Sequence, residues 1–329
     1  MPKFSIIIPV KSINDYVRES VPYVQALSAH SWELLIIPNN RETNEWPKDK
    51  RISIIDSGRV GPADKRDLGA KKASGDILVF LDDDSYPEPD ILEVADSYFN
   101  NSDVVAIGGP AITPPTNSFW QKVSGAVFLS IFSGGLPERY IPFGKVKEVE
   151  DWPSVNLMVR KKDFLAVGGF NSTFWPGEDT LLCLNLIQNT RKKILYIPHL
   201  KVWHHRRSGL FAHIKQVGAY GMHRGFFVKK YPKTSRKIIY FLPSAFLLFF
   251  IFTLIILLFF NYRLDYIILL KTGWIFYIMA MLKVFYDVNR HETIMISVTS
   301  VIYTFLTHLT YGAMFIKGLL IKNIKSKLR

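Results

Sequence analysis

Three consecutive carboxylates, Asp82-Asp83-Asp84, end the apolar run Ile77-Leu78-Val79-Phe80-Leu81. Such a run predicts a strand buried on both faces, and three acids cannot share that burial. They repel one another, and desolvation adds to the cost. A cation held among them relieves both, and the end of a strand is where open α/β sheets bind ligands. The alternative is a solvated acidic turn, with Ser85-Tyr86-Pro87-Glu88-Pro89 leading the chain away. A second acidic pair, Glu178-Asp179, follows Phe174-Trp175-Pro176-Gly177. Two carboxylates at the start of a helix suit its dipole. In aromatic, glycine-rich surroundings a carboxylate can also act as a general base toward a hydroxyl. His204-His205 offers metal ligands, and Arg206-Arg207 offers guanidinium forks for phosphate. A His pair is also common on plain surface. Gly61-Pro62-Ala63-Asp64-Lys65-Arg66 reads as a helix start able to hold a phosphate, or as an ordinary cap at Asp64 with solvated cations.

The elements that must position these residues alternate. Phe4–Val10 reads as a first buried strand, and Val17, Val21, Val24 and Leu27 recur at helical spacing within 15–29. Further strands are expected over Leu34–Ile37, Ile52–Ile55, Ile77–Leu81, Val104–Gly109, Val155–Arg160, Ile194–Ile197 and Val202–Trp203. Helices are expected over Asp64–Ser74 and Leu181–Ile187. This order predicts an α/β domain with a mainly parallel sheet and helices on both faces.

From Ile238 onward the chain is mostly apolar. Ile238–Phe260 carries no charge and is long enough to cross a bilayer. Tyr266–Val288, with Lys271 and Lys283, and Ile294–Leu320, with His308 and Lys317, are two further candidates. Lys229, Lys230, Lys233, Arg236 and Lys237 precede the first span, which puts that end in the cytosol. Three spans would then put Lys322, Lys325, Lys327 and Arg329 outside, against the same rule. Two spans with a re-entrant or interfacial segment would keep them inside. Ser118–Phe132 is too short to cross and is expected in the core or lying against the membrane. The formal net charge of +13 suits a membrane surface or phosphorylated substrates; beside such apolar segments the membrane reading outranks nucleic acid. With Cys183 the only cysteine, no intrachain disulfide or cysteine-based zinc cluster can form. No signal peptide is recognised at the N-terminus, so the first domain is expected in the cytosol.

Four segments in order, FSIIIPV, GPADKRDLGAKKASGDILVFLDDDSYP, VGGFNSTFWPGEDTLLCLNL and VWHHRRS, resemble the family 2 glycosyltransferases with their GT-A fold. The resemblance spans about residues 4 to 230. It implies a GT-A domain over 1–232 and a membrane region of two or three helices with a basic tail over 233–329. It implies an integral membrane protein of the plasma or inner membrane with its catalytic domain in the cytosol. It further implies Mg2+ or Mn2+ on Asp82 and Asp84, with His204 or, by preference, His205 as an extra ligand. Asp179, beside Glu178, would be the base of an inverting transfer. Pro9, Asn39, Asn40, Lys65, Arg66, Asp82, Asp83, Arg206 and Arg207 would contact a UDP- or GDP-type sugar donor. Two departures stand out. Pro38-Asn39-Asn40 replaces the usual Asp at the second strand's end, and Asp67 stands where many relatives carry Asn. Ala219-Tyr220 after Gln216 lacks the processive signature, which points to transfer of one sugar. The expected acceptor is a lipid-linked or cell-envelope glycan. The alternatives are a polyprenyl-phosphate sugar synthase and a non-catalytic membrane subunit of a polysaccharide assembly system.

Overall fold

A computed structural model describes residues 3–259 and 264–324. Phe260 and the tail residues Lys325, Lys327 and Arg329 lie outside the described residues. In chain order the elements are β1 (Phe4–Pro9), α1 (Asp15–Gln25), β2 (Trp32–Ile37), β3 (Ile52–Ile54), α2 (Pro62–Lys72), β4 (Ile77–Leu81), β5 (Ser85–Pro87), α3 (Ile91–Phe99), β6 (Val104–Gly108), β7 (Ala111–Ile112) and α4 (Phe119–Ala126). They continue with β8 (Lys147–Val149), β9 (Asn156–Arg160), α5 (Lys161–Ala166), α6 (Glu178–Thr190), β10 (Lys193–Tyr196), β11 (Val202–His204), α7 (Leu210–Lys230), α8 (Pro232–Ser235), α9 (Ile238–Phe259), α10 (Leu264–Asn289) and α11 (Ile294–Leu320).

The chain divides into two compact units. The first holds residues 3–114 and 138–205. Its main sheet has eight strands in the order β3-β2-β1-β4-β9-β6-β10-β8. β3, β2, β1 and β4 run parallel, as do β6 and β10, whereas β9 runs against β4 and β6, and β8 against β10. This is the mainly parallel sheet that the order of elements predicts. Period-two alternation sends its strand residues into two cores. Ile77, Val79 and Leu81 pack with Val17 and Val21 of α1, while Leu78 and Phe80 pack with Ala63 and Ala70 of α2 and Leu182 and Leu186 of α6. α1 begins where the Asn14 side chain accepts from Val17 N–H at 2.9 Å.

A second sheet of three strands, β5-β11-β7, differs from expectation. Ser85–Pro87 is a strand rather than a turn. It pairs antiparallel with β11, and Tyr86 is buried and stacked on Tyr23 at 4.2 Å. A backbone partner and a ring contact hold extended a segment whose prolines suggest a turn.

The second unit comprises Pro115–Pro137 and Arg206–Ile324. α9, α10 and α11 are, among the described residues, three helices long and apolar enough to cross a membrane. α7 and α11 run side by side in the same direction. A Cβ at Gly221 would meet the Tyr311 carbonyl oxygen at 2.6 Å, and one at Gly225 the Phe315 carbonyl oxygen at 2.1 Å. α9 meets α11 through Phe241 and Phe315 at 4.9 Å, and α10 through Phe246 and Tyr277 at 3.8 Å. Phe119, Trp120, Ile131 and Phe132, from the Ser118–Phe132 stretch, are exposed.

Candidate active site

The acids leave β4 through a tight turn, in which Ser85 N–H donates to the Asp82 carbonyl oxygen at 3.2 Å, and each carboxylate finds a different partner. Asp82 meets α2, where Arg66 Nη2 donates to its Oδ1 at 2.5 Å. Asp83 meets the start of α1, where Asn14 Nδ2 donates to its Oδ2 at 2.8 Å. Asp84 is buried, and His204 Nε2 lies 3.1 Å from its Oδ1.

The small sheet explains that last contact. In the β5–β11 pair His204 sits opposite Ser85, and His205 N–H donates to the Asp84 carbonyl oxygen at 2.9 Å. One donor atom each from Asp82, Asp84 and His204 lies within 4.8 Å of the others. Two carboxylates and an imidazole are a suitable set for a divalent cation, which completes its shell with other oxygens. His205, favoured from sequence, projects elsewhere. Its Nε2 is 2.9 Å from Glu19 Oε2, and its ring lies 4.7 Å from Tyr16. Successive residues of a strand point to opposite faces, so only one histidine of the pair turns toward the carboxylates.

The second acidic pair is brought to the first by α2. Arg66 Nη1 donates to Glu178 Oε1 at 3.2 Å, with both side chains buried. Burial, helped by neighbouring Asp179 and opposed by Arg66, pushes the Glu178 carboxyl up to about 8. Asp179 is only half-buried, and its Oδ1 accepts from Thr180 N–H at 2.7 Å. Gly177 caps α6 with φ 112°, a conformation that favours glycine and sets both acids in the first turn.

Asp67, the neighbour of Arg66, holds the other end of the same segment. It accepts from Phe170 N–H at 2.8 Å and from Asn171 N–H at 3.0 Å. Burial raises its carboxyl above the usual range, against the pull of those two N–H groups. Its departure from the relatives' Asn marked it in the sequence, but nothing there pointed to this turn.

Lys65 and Arg66 are not solvated. Lys65 Nζ donates to the Val10 carbonyl oxygen, and burial lowers its ammonium to about 8. The cap of α2 is Gly61, whose N–H donates to Asp64 Oδ2 at 3.2 Å. Pro9 is buried at the end of β1. Asn39 is buried with its Oδ1 unpartnered among the described residues, and Asn40 is exposed. Arg206 and Arg207 open the second unit, where Arg206 N–H donates to Asn117 Oδ1 at 3.2 Å.

Residues 5–164 match the model of the family described as glycosyl transferase family 2. A glucosyl-dolichyl phosphate glucuronosyltransferase of Haloferax volcanii is 27% identical over 224 residues, covering 61% of this chain and 69% of that protein. A pre-mycofactocin glycosyltransferase of Mycobacterium tuberculosis is 28% identical over 161 residues, covering 49% of this chain but only 33% of its own length. The solved structure of a mannosyltransferase, PcManGT from Pyrobaculum calidifontis in complex with GDP-Man and Mn2+, aligns at TM-score 0.60 and 14% identity over 98% of this chain and 88% of that one. Residues 5–164, a little under half of the chain, thus carry the pattern of glycosyl transferase family 2 on a mainly parallel sheet.

Proposed function

We propose that this glycosyltransferase moves one sugar, with inversion, from a UDP- or GDP-type donor to a lipid-linked saccharide at the membrane that holds α9 and α10. The observation that carries this reading is the meeting of Asp82, Asp84 and His204 within one ligand sphere. These three would hold Mg2+ or Mn2+, whose charge offsets that of the departing diphosphate.

The chain's own residues divide the remaining work. Asp179, half-buried at the start of α6, accepts the proton of the acceptor hydroxyl as that oxygen attacks the anomeric carbon. Attack from the face opposite the leaving group inverts the centre. Glu178 is the anchor rather than the base: its carboxyl is buried against Arg66, which also holds Asp82. Arg66 thereby fixes the distance between the donor side and the acceptor side. The free Oδ1 of buried Asn39 suits an N–H on a nucleotide base edge.

The names of the relatives support the acceptor and donor classes. The Haloferax protein is named for a dolichyl-phosphate-linked sugar, and PcManGT was solved with GDP-Man and Mn2+. Membranes bearing the protein are incubated with labelled UDP- and GDP-sugars, with polyprenyl phosphate alone or with lipid-linked saccharides, with and without a chelator. Product is expected only with the saccharide lipid and only without the chelator. Product on polyprenyl phosphate alone would make the protein a polyprenyl-phosphate sugar synthase. Transfer unaffected by the chelator would remove the metal.

A further inference from the structure

We propose that α11, although long and apolar enough to cross, does not span the bilayer. It lies along the headgroup layer beside α7, and α9 and α10 alone make the crossing.

The orientation of α11 is set by α7. That helix carries Lys215, Arg224, Lys229, Lys230, His213 and His223 within 21 residues and is not among the described helices apolar enough to cross. It is therefore an interfacial helix. α11 packs on it through backbone-close contacts at Gly218, Gly221 and Gly225, which meet Thr310, Tyr311 and Phe315 in turn. Two helices so close over two turns share a direction.

The ends of α11 agree. Lys229 Nζ, at the end of α7, donates to the Ile321 carbonyl oxygen at 2.7 Å. Ser244 Oγ, near the start of α9, donates to the Gly312 carbonyl oxygen at 3.1 Å. The last third of α11 thus lies beside the first turns of α9. α9 leads away and α10 returns, so α11 also starts on the near side. There Ser130 Oγ donates to Asp287 Oδ2 at 2.8 Å, and Trp120 of the short helix α4 stacks on Tyr303 at 6.3 Å. A 27-residue helix is about 40 Å long, more than the hydrocarbon thickness of about 30 Å. A straight rod of that length with both ends at one face lies along that face.

The side chains of α11 fit this placement. Ser297, Ser300, Thr304 and Thr307 form one buried stripe, and Thr307 Oγ1 meets the buried His213 ring of α7 at 2.9 Å. A polar stripe suits a helix packed on another interfacial helix. Lys317 and Lys322 at its end join Lys229, Lys230 and Lys233, a basic set that complements anionic headgroups.

Side-specific labelling tests this on the full-length chain. Cys183, the only native cysteine, is fully buried, so the parent chain should stay unlabelled. Single cysteines are placed at the exposed positions Lys233→Cys, Phe259→Cys and Lys322→Cys, with Asn323→Cys as a second reporter of the end of α11. Sealed vesicles of both orientations are treated with a membrane-impermeant maleimide. Lys322→Cys and Asn323→Cys should react from the side of Lys233→Cys, and Phe259→Cys from the other. Reaction of Lys322→Cys from the Phe259→Cys side establishes three spans and overturns the proposal. Reaction of Phe259→Cys from the Lys233→Cys side removes the α9–α10 hairpin and overturns it too. No transfer assay enters, so loss of the proposed reaction leaves this result standing.

Discussion

Arg66 Nη1 donates to Glu178 Oε1 at 3.2 Å across 112 residues of sequence, and the same guanidinium holds Asp82 at 2.5 Å. One buried cation thus ties the strand-end acids to the helix-start acids. Above a pH of about 8, where Glu178 is ionised, Arg66→Met leaves its buried carboxylate without a counter-ion. Breaking such a pair from one side costs about 3–5 kcal/mol. The thermal transition in detergent should fall accordingly, and adding Glu178→Gln should recover a large part of the loss. A single variant that melts like the parent would refute the tie.

The Glu178 carboxyl gives stability a pH dependence of unusual sign. Its folded value is raised from 4.5 to about 8 by burial, with Asp179 adding to the rise. Between those values the folded chain keeps a proton that the unfolded chain has lost. Stability therefore falls as pH rises through that window and levels off above about 8. The change is on the order of a few kcal/mol. Glu178→Gln cannot ionise and should flatten the slope in denaturation series at several pH values. A parallel slope in the variant would place the titrating group elsewhere.

The two histidines should behave differently toward metal. His204→Ala removes a candidate ligand atom 3.1 Å from Asp84 Oδ1. The Mn2+ concentration for half-maximal transfer is expected to rise by at least about tenfold. His205→Ala loses its contact with Glu19 and should leave the metal titration in place. Equal shifts in both variants would show that the strand does not sort the pair by face.

Asp67→Ala frees the Phe170 and Asn171 N–H groups, and with them the turn that leads to Asp179. Misplacing a base by about 1 Å can cost on the order of a hundredfold. The expected signature is a fall in kcat with the donor KM unchanged. Asp67→Asn keeps one oxygen acceptor and should restore much of the rate. A drop in kcat that Asn fails to rescue would point to a role for the charge itself.

The main sheet was legible because its strands are continuous apolar runs; Ile77–Leu81 was placed at its full extent. The start of α1 was legible from its helical period, and the bounds of the helix Ile294–Leu320 from its apolar length. β5 and β8 were not. Ser85–Pro87 holds two polar or turn-prone residues in three, and Lys147–Val149 carries two charges. Such strands exist through their partners, which the sequence does not display. The acidic motifs were readable as chemistry, but their geometry was not. Nothing local to Arg66 announces that it faces two distant carboxylates, and the choice between His204 and His205 depends on the pairing of β11 with β5.

The three-stranded sheet also imposes a schedule on synthesis. Its central strand, β11, is the last element of the first unit, and its edges β5 and β7 are made about a hundred residues earlier. Until residues 202–204 leave the ribosome, Asp84 waits without its histidine and Ser85 without its strand partner. A truncated chain that folds the main sheet's early strands still lacks a complete ligand set. The cluster of Asp82, Asp84 and His204 can close only once β11 is made, just before α7 follows in the chain.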